Sequence, residues 1–227
     1  MIARLRTWLF QAVFYGGSVP LVLVTPFTAL AGRRVLVANV HLWCRFHRLA
    51  CALILGIRPR TIGTPPAGQY LYAAKHHAMY ETLELVLMLG DPVVVIKQEL
   101  TRIPIWGWAI QRYGAIVVDR DASATALRAL MQQAKAAREE GRSVLIFPEG
   151  TRVPAGEKPP LKSGFAGLYR AFGMPVVAIA IDSGVNWPKG KPKRAGVVTF
   201  DFAAPIPPGQ GREAIEAAVH EAINRLD

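Results

Sequence analysis

The sequence predicts an α/β fold, with a largely parallel central sheet flanked by helices and preceded by an N-terminal membrane-associated two-helix segment. Three observations carry this. Beyond residue 70, short apolar runs alternate with longer stretches of helical periodicity, the pattern of strands joined by crossover helices. Runs such as Val93-Val94-Val95-Ile96 are apolar throughout, as buried strands are. Residues 7–31 are almost wholly uncharged, and a second apolar stretch follows them. The 227 residues make one domain of ordinary size plus a membrane-binding segment, divided here at 1–57 and 58–227.

Composition narrows the partners without choosing one. Apolar residues make up 52% of the chain, high for a purely soluble protein, and the net charge is +11, spread along the whole length. Such a surface suits phosphates of any kind, on lipid headgroups, a nucleotide-bearing donor, an acidic carrier protein or nucleic acid. Cys44 and Cys51, seven apart in an apolar helical stretch, offer neither a disulfide framework nor a metal spacing, and both read as reduced and buried.

The N-terminal segment is long enough to cross a bilayer. Its flanks argue otherwise. Arg4 and Arg6 precede it and Arg33-Arg34 follow it, a nearly symmetrical cationic bias, and Pro20 and Pro26 interrupt a straight span. No small-residue cleavage site follows a short apolar core. A second helix over residues 35–56 places Leu36, Val40, Trp43, Ala50, Leu53 and Ile54 toward lipid or core, with Asn39, His41, Arg45, His47 and Arg48 on a wetter side. The pair reads as a hairpin dipping into one leaflet, its arginines reaching headgroups or water; a single-pass anchor is the alternative.

Residues 58–68, rich in proline and glycine, read as the loop entering the globular domain. Residues 70–74 form the first strand, and a helix runs from there to about Gly90. A strand at 92–96 leads through Lys97 to an aromatic turn at 103–108. The strand at 115–118 ends in Asp119-Arg120, and an amphipathic helix over 122–140 stops at Gly141. A strand at 143–147, a helix at 163–172, strands at 175–181 and 197–202 and a helix at 212–226 complete the chain.

The chemistry centres on Lys75-His76-His77-Ala78-Met79-Tyr80-Glu81, at the first strand-to-helix junction. Inside one helix, five steps would leave His76 and Glu81 about 140° apart. His76 therefore belongs to the loop and Glu81 to the first helical turn, where the helix dipole favours a carboxylate that folds back onto the imidazole. A carboxylate on one ring N–H fixes the tautomer and stabilises the imidazolium formed when the other nitrogen takes a proton from a hydroxyl. The second stretch is Phe147-Pro148-Glu149-Gly150-Thr151-Arg152.

Together the two stretches resemble the glycerolipid acyltransferase family of bacterial type, the 1-acyl-glycerol-3-phosphate acyltransferases and their relatives. That family carries N-H-x-S-x-x-D as its first motif and F-P-E-G-T-R as its third. Lys75 stands where the family has Asn, Ala78 where it has Ser and Glu81 where it has Asp, while His76 and the whole third motif match. Gly114 to Arg120 matches the end of the second motif, and the likeness covers roughly residues 70–205.

The resemblance implies transfer of an acyl chain from acyl-coenzyme A or acyl carrier protein to the 2-hydroxyl of 1-acyl-glycerol-3-phosphate, giving phosphatidic acid. His76 and Glu81 are then the base pair, and the acceptor hydroxyl attacks directly, without an acyl-enzyme. Arg120, Gly150, Thr151 and Arg152 hold the acceptor phosphate, assisted by backbone N–H groups of the tight turn, and Glu149 orients acceptor hydroxyls or the arginines. No metal, no cofactor beyond the thioester and no nucleic acid are expected; membrane lipids and a lysophospholipid acceptor are, at the cytoplasmic face of the inner membrane. Other readings are acylation of another lysolipid, such as a lyso-aminolipid, and a non-catalytic basic peripheral membrane protein. His77 is a rival base, and Lys162 is an exposed loop lysine or a further cation near the phosphate. Trp106 and Trp108 rim an acyl groove, sit at the membrane interface or pack in the core.

Overall fold

The computed structural model describes residues 1–118, 124–162 and 164–227, with backbone only over 124–131. Its strands are β1 Ile57–Ile62, β2 Leu71–Ala74, β3 Val93–Lys97, β4 Ile116–Val118, β5 Val144–Ile146, β6 Val176–Ile181 and β7 Gly196–Phe202. Among the described residues these seven form one sheet in the order β1-β7-β6-β2-β5-β3-β4. Every neighbouring pair is parallel except β6 with β7. The helices are α1 Ile2–Leu30, α2 Arg33–Ala50, α3 Tyr80–Leu89, α4 Trp106–Tyr113, α5 Ala124–Glu139, α6 Gly164–Phe172, the short α7 Ser183–Asn186, and α8 Arg212–Ile223.

The α/β class and the mostly parallel sheet are as the alternation predicts, and the side-chain period of a strand explains the layers. In β2, Tyr72 and Ala74 join the apolar cluster that contains Tyr80 and Leu83 of α3. Leu71 and Ala73 point the other way, into the cluster built with α5, α6 and α8. Both faces are covered, so the central strands are apolar at every position. The chain leaves β2 toward β3 on one side, while β6 lies on the other. Such a reversal opens a crevice at the carboxyl ends of the strands, here β2 and β5.

Three local expectations are corrected. The supposed entry loop contains β1, an edge strand paired in parallel with β7 from Ile57↔Gly196 to Ile62↔Asp201. Pro59 suits an edge, where one missing N–H costs no central ladder bond. The supposed aromatic turn contains the start of α4, after a 3₁₀ turn at Gln98–Arg102. Gly107 allows the close approach there, since a Cβ would lie 2.0 Å from the Thr101 carbonyl oxygen. The four-residue α7, unforeseen, carries Ser183 and Asn186 into the interior.

The N-terminal helices depart most from expectation. α1 runs unbroken through Pro20 and Pro26, a helix about 43 Å long. α2 braces it: Trp43 Nε1 donates to Ser18 Oγ (2.8 Å), and Asn39 Nδ2 donates to the Leu21 carbonyl and Thr25 Oγ1, both at 3.2 Å. The expected boundary at 57/58 falls inside β1, and Phe10, Phe14, Cys44 and Leu55 share one apolar cluster with the sheet face.

Part of the side of α2 expected to be wet is turned inward, although Arg45 stays exposed. His47 is fully buried with Phe10, Phe14, Tyr80 and Trp187 around its ring. Burial, then the Arg48 charge, pushes its pKa down to about 3, so it packs as a neutral ring. Arg33, expected to seek headgroups, is bound instead by the Asp91 carboxylate (2.6–3.1 Å) and the Tyr113 carbonyl (3.2 Å). At the other end of the hairpin, the Lys193 backbone N–H donates to Thr7 Oγ1 at 2.9 Å. The hairpin thus lies along the α/β unit, tied at both ends.

Candidate active site

β2 ends at Ala74, the chain turns through residues 75–79, and α3 begins at Tyr80. This puts His76 in the loop and Glu81 in the first turn, as the spacing requires. His76 Nδ1 lies 3.0 Å from Glu81 Oε1, with the imidazole 16% exposed and the carboxylate fully buried. The same oxygen accepts the backbone N–H groups of His77 (2.7 Å) and Ala78, and Oε2 accepts the Ser183 hydroxyl at 2.8 Å. Burial by itself would raise the Glu81 pKa. The bonds from His76, the Ala78 N–H and Ser183 outweigh it and hold the carboxyl below its ordinary value of 4.5. An ionised carboxylate with every near donor aimed at it takes the Nδ1 proton of His76 as a hydrogen bond, which leaves Nε2 as the basic nitrogen.

The third-motif turn follows β5, the neighbour of β2, and encloses the same loop. Phe147 stacks on the His76 ring, with centroids 4.1 Å apart at 25°. The Val153 N–H donates to the His76 carbonyl (2.7 Å). Glu149, expected to orient acceptor hydroxyls or the arginines, is buried with both oxygens taken: Oε1 by Lys75 Nζ at 2.8 Å, Oε2 by the His76 N–H at 3.1 Å. It holds the His76 loop rather than facing a ligand. Gly150 adopts φ +67°, and a Cβ there would lie 2.9 Å from Lys162 Cγ. Its N–H, expected as a phosphate donor, closes the turn on the Phe147 carbonyl at 2.9 Å.

Thr151 and Arg152 are exposed. Arg152 lines a pocket of about 210 Å³ with Met79 of the His76–Glu81 loop, Trp187, Lys193 and α1. Arg120 lies outside the described residues. His77 is buried with Nδ1 2.7 Å from the Val153 carbonyl and Nε2 2.9 Å from that of Ile181, so neither nitrogen is open to a substrate. Trp108 is partly exposed beside Arg112, whose guanidinium carbon is 5.5 Å from the ring centroid.

Ser183, Trp187 and Lys193 were missed by sequence reasoning. They lie beyond the motifs, between β6 and β7, and Lys189, Lys191, Lys193 and Arg194 form a dense basic run there that could have signalled the loop. The stacking of Phe147 on His76 had no signal at all, because it depends on β2 and β5 being neighbours.

A family model described as Acyltransferase matches residues 59–182. The 1-acyl-sn-glycerol-3-phosphate acyltransferase of Pseudomonas aeruginosa is 32% identical over 195 residues, 83% of this chain and 75% of that one. The human 1-acyl-sn-glycerol-3-phosphate acyltransferase alpha is 29% identical over 182 residues, 78% of this chain and 63% of that one. The crystal structure of the 1-acyl-sn-glycerophosphate acyltransferase PlsC from Thermotoga maritima superposes with a TM-score of 0.79 at 20% identity, covering 98% of this chain and 95% of that one, a likeness of fold. With the family model spanning more than half of the chain and the His76–Glu81 pair held between β2 and β5, the chain belongs to the glycerolipid acyltransferase family.

Proposed function

We propose that the protein transfers an acyl chain from acyl-coenzyme A or acyl carrier protein to the 2-hydroxyl of 1-acyl-glycerol-3-phosphate, forming phosphatidic acid at the cytoplasmic face of the cell membrane. The observation that carries this is the His76–Glu81 pair, whose carboxylate is saturated with donors and whose second imidazole nitrogen has no protein partner among the described residues. His76 Nε2 takes the hydroxyl proton as the acceptor oxygen attacks the thioester carbonyl carbon. The tetrahedral intermediate then collapses with cleavage of the C–S bond, and the imidazolium returns the proton to the departing thiolate. Among the described residues no serine or cysteine hydrogen-bonds to His76, which favours direct attack over an acyl-enzyme.

Arg152 supports an anionic acceptor. It is a cation in the pocket beside the loop and makes no hydrogen bond or ion pair among the described residues. The exposed apolar side chains of α1, including Trp8, Leu23 and Phe27, support a membrane-bound acceptor whose tail stays in lipid while the headgroup reaches the site. The test is product identification by mass spectrometry from a panel of lysolipids offered with both thioester donors. Phosphatidic acid as the principal product is expected; acylation of a different lysolipid alone would replace the proposed acceptor.

A further inference from the structure

One wall of the Arg152 pocket comes from outside the family motifs. Trp187 and Lys193, from the segment between β6 and β7, face α1 across the space, and Gln11 of α1 completes the rim. Among the described residues no carboxylate lines it. The half-buried Lys193 ammonium sits 5.0 Å from the centroid of the Trp187 ring, and its one described hydrogen bond is a long contact of 3.3 Å to the Lys191 carbonyl. Burial, then the charge of Arg152, lowers its pKa, the sign expected where two cations converge without a counter-charge. The position of Lys193 is set by the N-terminal helix, through the bond from its backbone N–H to Thr7 Oγ1. Two cations with no carboxylate between them among the described residues, Lys193 half-buried and Arg152 open to solvent, line a site that an anion would relieve.

We propose that Lys193 is the second ligand of the acceptor phosphate, opposite Arg152, and that it selects lysolipids ending in a phosphate monoester. This rests on the reading of Arg152 as an acceptor-phosphate residue. A monoester carries a charge of about −1.5 to −2 near neutral pH, matching two cations, whereas a diester carries a single charge. A headgroup bearing an ammonium would bring its charge against Lys193. The aromatic face that could have received such an ammonium, Trp187, is already covered by the lysine. The volume of about 210 Å³ lies under the roughly 300 Å³ at which pockets for whole drug-sized ligands begin, so it suits a small headgroup with the acyl tail outside.

The experiment uses the full-length enzyme in mixed micelles with saturating thioester donor. Acceptor KM is measured for 1-acyl-glycerol-3-phosphate and for 1-acyl-glycerophosphocholine, in wild type, Lys193→Met and Lys193→Arg. Lys193→Met should raise the KM for the monoester by roughly 10- to 100-fold, as loss of one charge-assisted contact does. It should also narrow the preference over the choline lipid and leave the donor KM within about twofold, with Lys193→Arg recovering most of the loss. An unchanged acceptor KM in Lys193→Met overturns the proposal, as does a rise confined to the donor KM. Inactivity of both variants would make Lys193 a structural residue and also overturns it. A wild type that acylates other lysolipids and not 1-acyl-glycerol-3-phosphate defeats the proposed function itself, a result read before any variant is made.

Discussion

Lys75 Nζ lies 2.8 Å from Glu149 Oε1, and neither side chain reaches solvent. This contact joins the first motif to the third, for Glu149 uses its other oxygen to hold the His76 N–H. The ammonium also donates to the Glu157 carbonyl (2.7 Å) and Asn224 Oδ1 (2.6 Å), and it pairs with Asp227 Oδ2 at 3.0 Å. A buried cation among two carboxylates is tolerable only because its partners are so complete. The His76 loop is therefore clamped from behind by the segment that follows α8.

Lys75→Met should uncover this arrangement by leaving Glu149 and Asp227 buried without their cation. Breaking a buried pair from one side costs about 3–5 kcal/mol. Urea unfolding should show that loss as a lower midpoint with an unchanged slope. Asp227→Asn should be milder, since Glu149 remains to balance Lys75. Equal stability of Lys75→Met and wild type would show that the ion pair contributes nothing.

His76→Ala should abolish turnover with little effect on stability, because Glu81 keeps the Ser183 hydroxyl and two backbone donors when the imidazole is removed. Loss of a positioned general base costs a factor of about 100 to 10,000 in kcat. Glu81→Gln and Ser183→Ala should follow in decreasing severity, since they act on the base through its orientation. Steady-state kinetics at saturating substrates decide this, and full activity in His76→Ala would remove His76 from the chemistry.

Two carboxylates three residues apart on α3 should give stability profiles of opposite sign. Glu81 has a lowered pKa, so it stabilises the fold at and above its ordinary value of 4.5, and that contribution fades as pH falls through the folded value. Glu84 has a raised pKa because burial outweighs its bonds to Arg48, so its contribution is present in acid and fades as pH rises past 4.5 toward the folded value. Thermal unfolding from pH 3 to 7 checks this. The wild-type advantage over Glu81→Gln should grow with pH below 4.5, and that over Glu84→Gln should shrink with pH above it.

The contrast shows what could be read in advance. His76 and Glu81 were legible because their spacing at a strand-to-helix junction dictates a contact within one turn of chain. The strand pattern was legible because β2, β5 and β6 are covered on both faces and therefore apolar at nearly every position. The role of Glu149 was not legible, because its partner Lys75 lies 74 positions away and Asn224, a second partner of Lys75, lies 149 positions from that lysine; they meet only through the pairing of β2 with β5 and the docking of α8. β1 was missed because an edge strand tolerates Pro59 and exposed arginines. The inward face of α2 was misread because His47 and Arg48 look solvated until Phe14 and Glu84 are placed against them.

Arg152→Ala should weaken use of the acceptor more than use of the donor. Truncating a cation that holds a phosphate costs about 2–4 kcal/mol, or roughly 30- to 1,000-fold in kcat/KM for the acceptor. Separate titrations of the two substrates check it, and a rise confined to the donor KM would place the coenzyme A phosphates at Arg152 instead.

The N-terminal hairpin should hold the enzyme on one side of its membrane. α1 is long and apolar enough to cross, and its outer side exposes Trp8, Leu9, Val19, Leu23 and Phe27. Crossing would separate its two ends by a bilayer. Both ends are fastened to the α/β unit, one through Thr7 to the Lys193 backbone and the other through Arg33 to Asp91, and the two contacts cannot both survive if the hydrocarbon lies between those ends. Lying in the interface satisfies the apolar side chains with lipid and leaves Arg4, Arg6 and Arg34 at headgroup level, where long cationic side chains are at ease. Cysteines introduced at Ile2 and Ala31 should therefore both react with an impermeant reagent from the cytoplasmic side. The native Cys44 and Cys51 should stay silent, since both are fully buried and burial raises their pKa. Labelling of one introduced cysteine only from the opposite side would show that α1 spans the membrane.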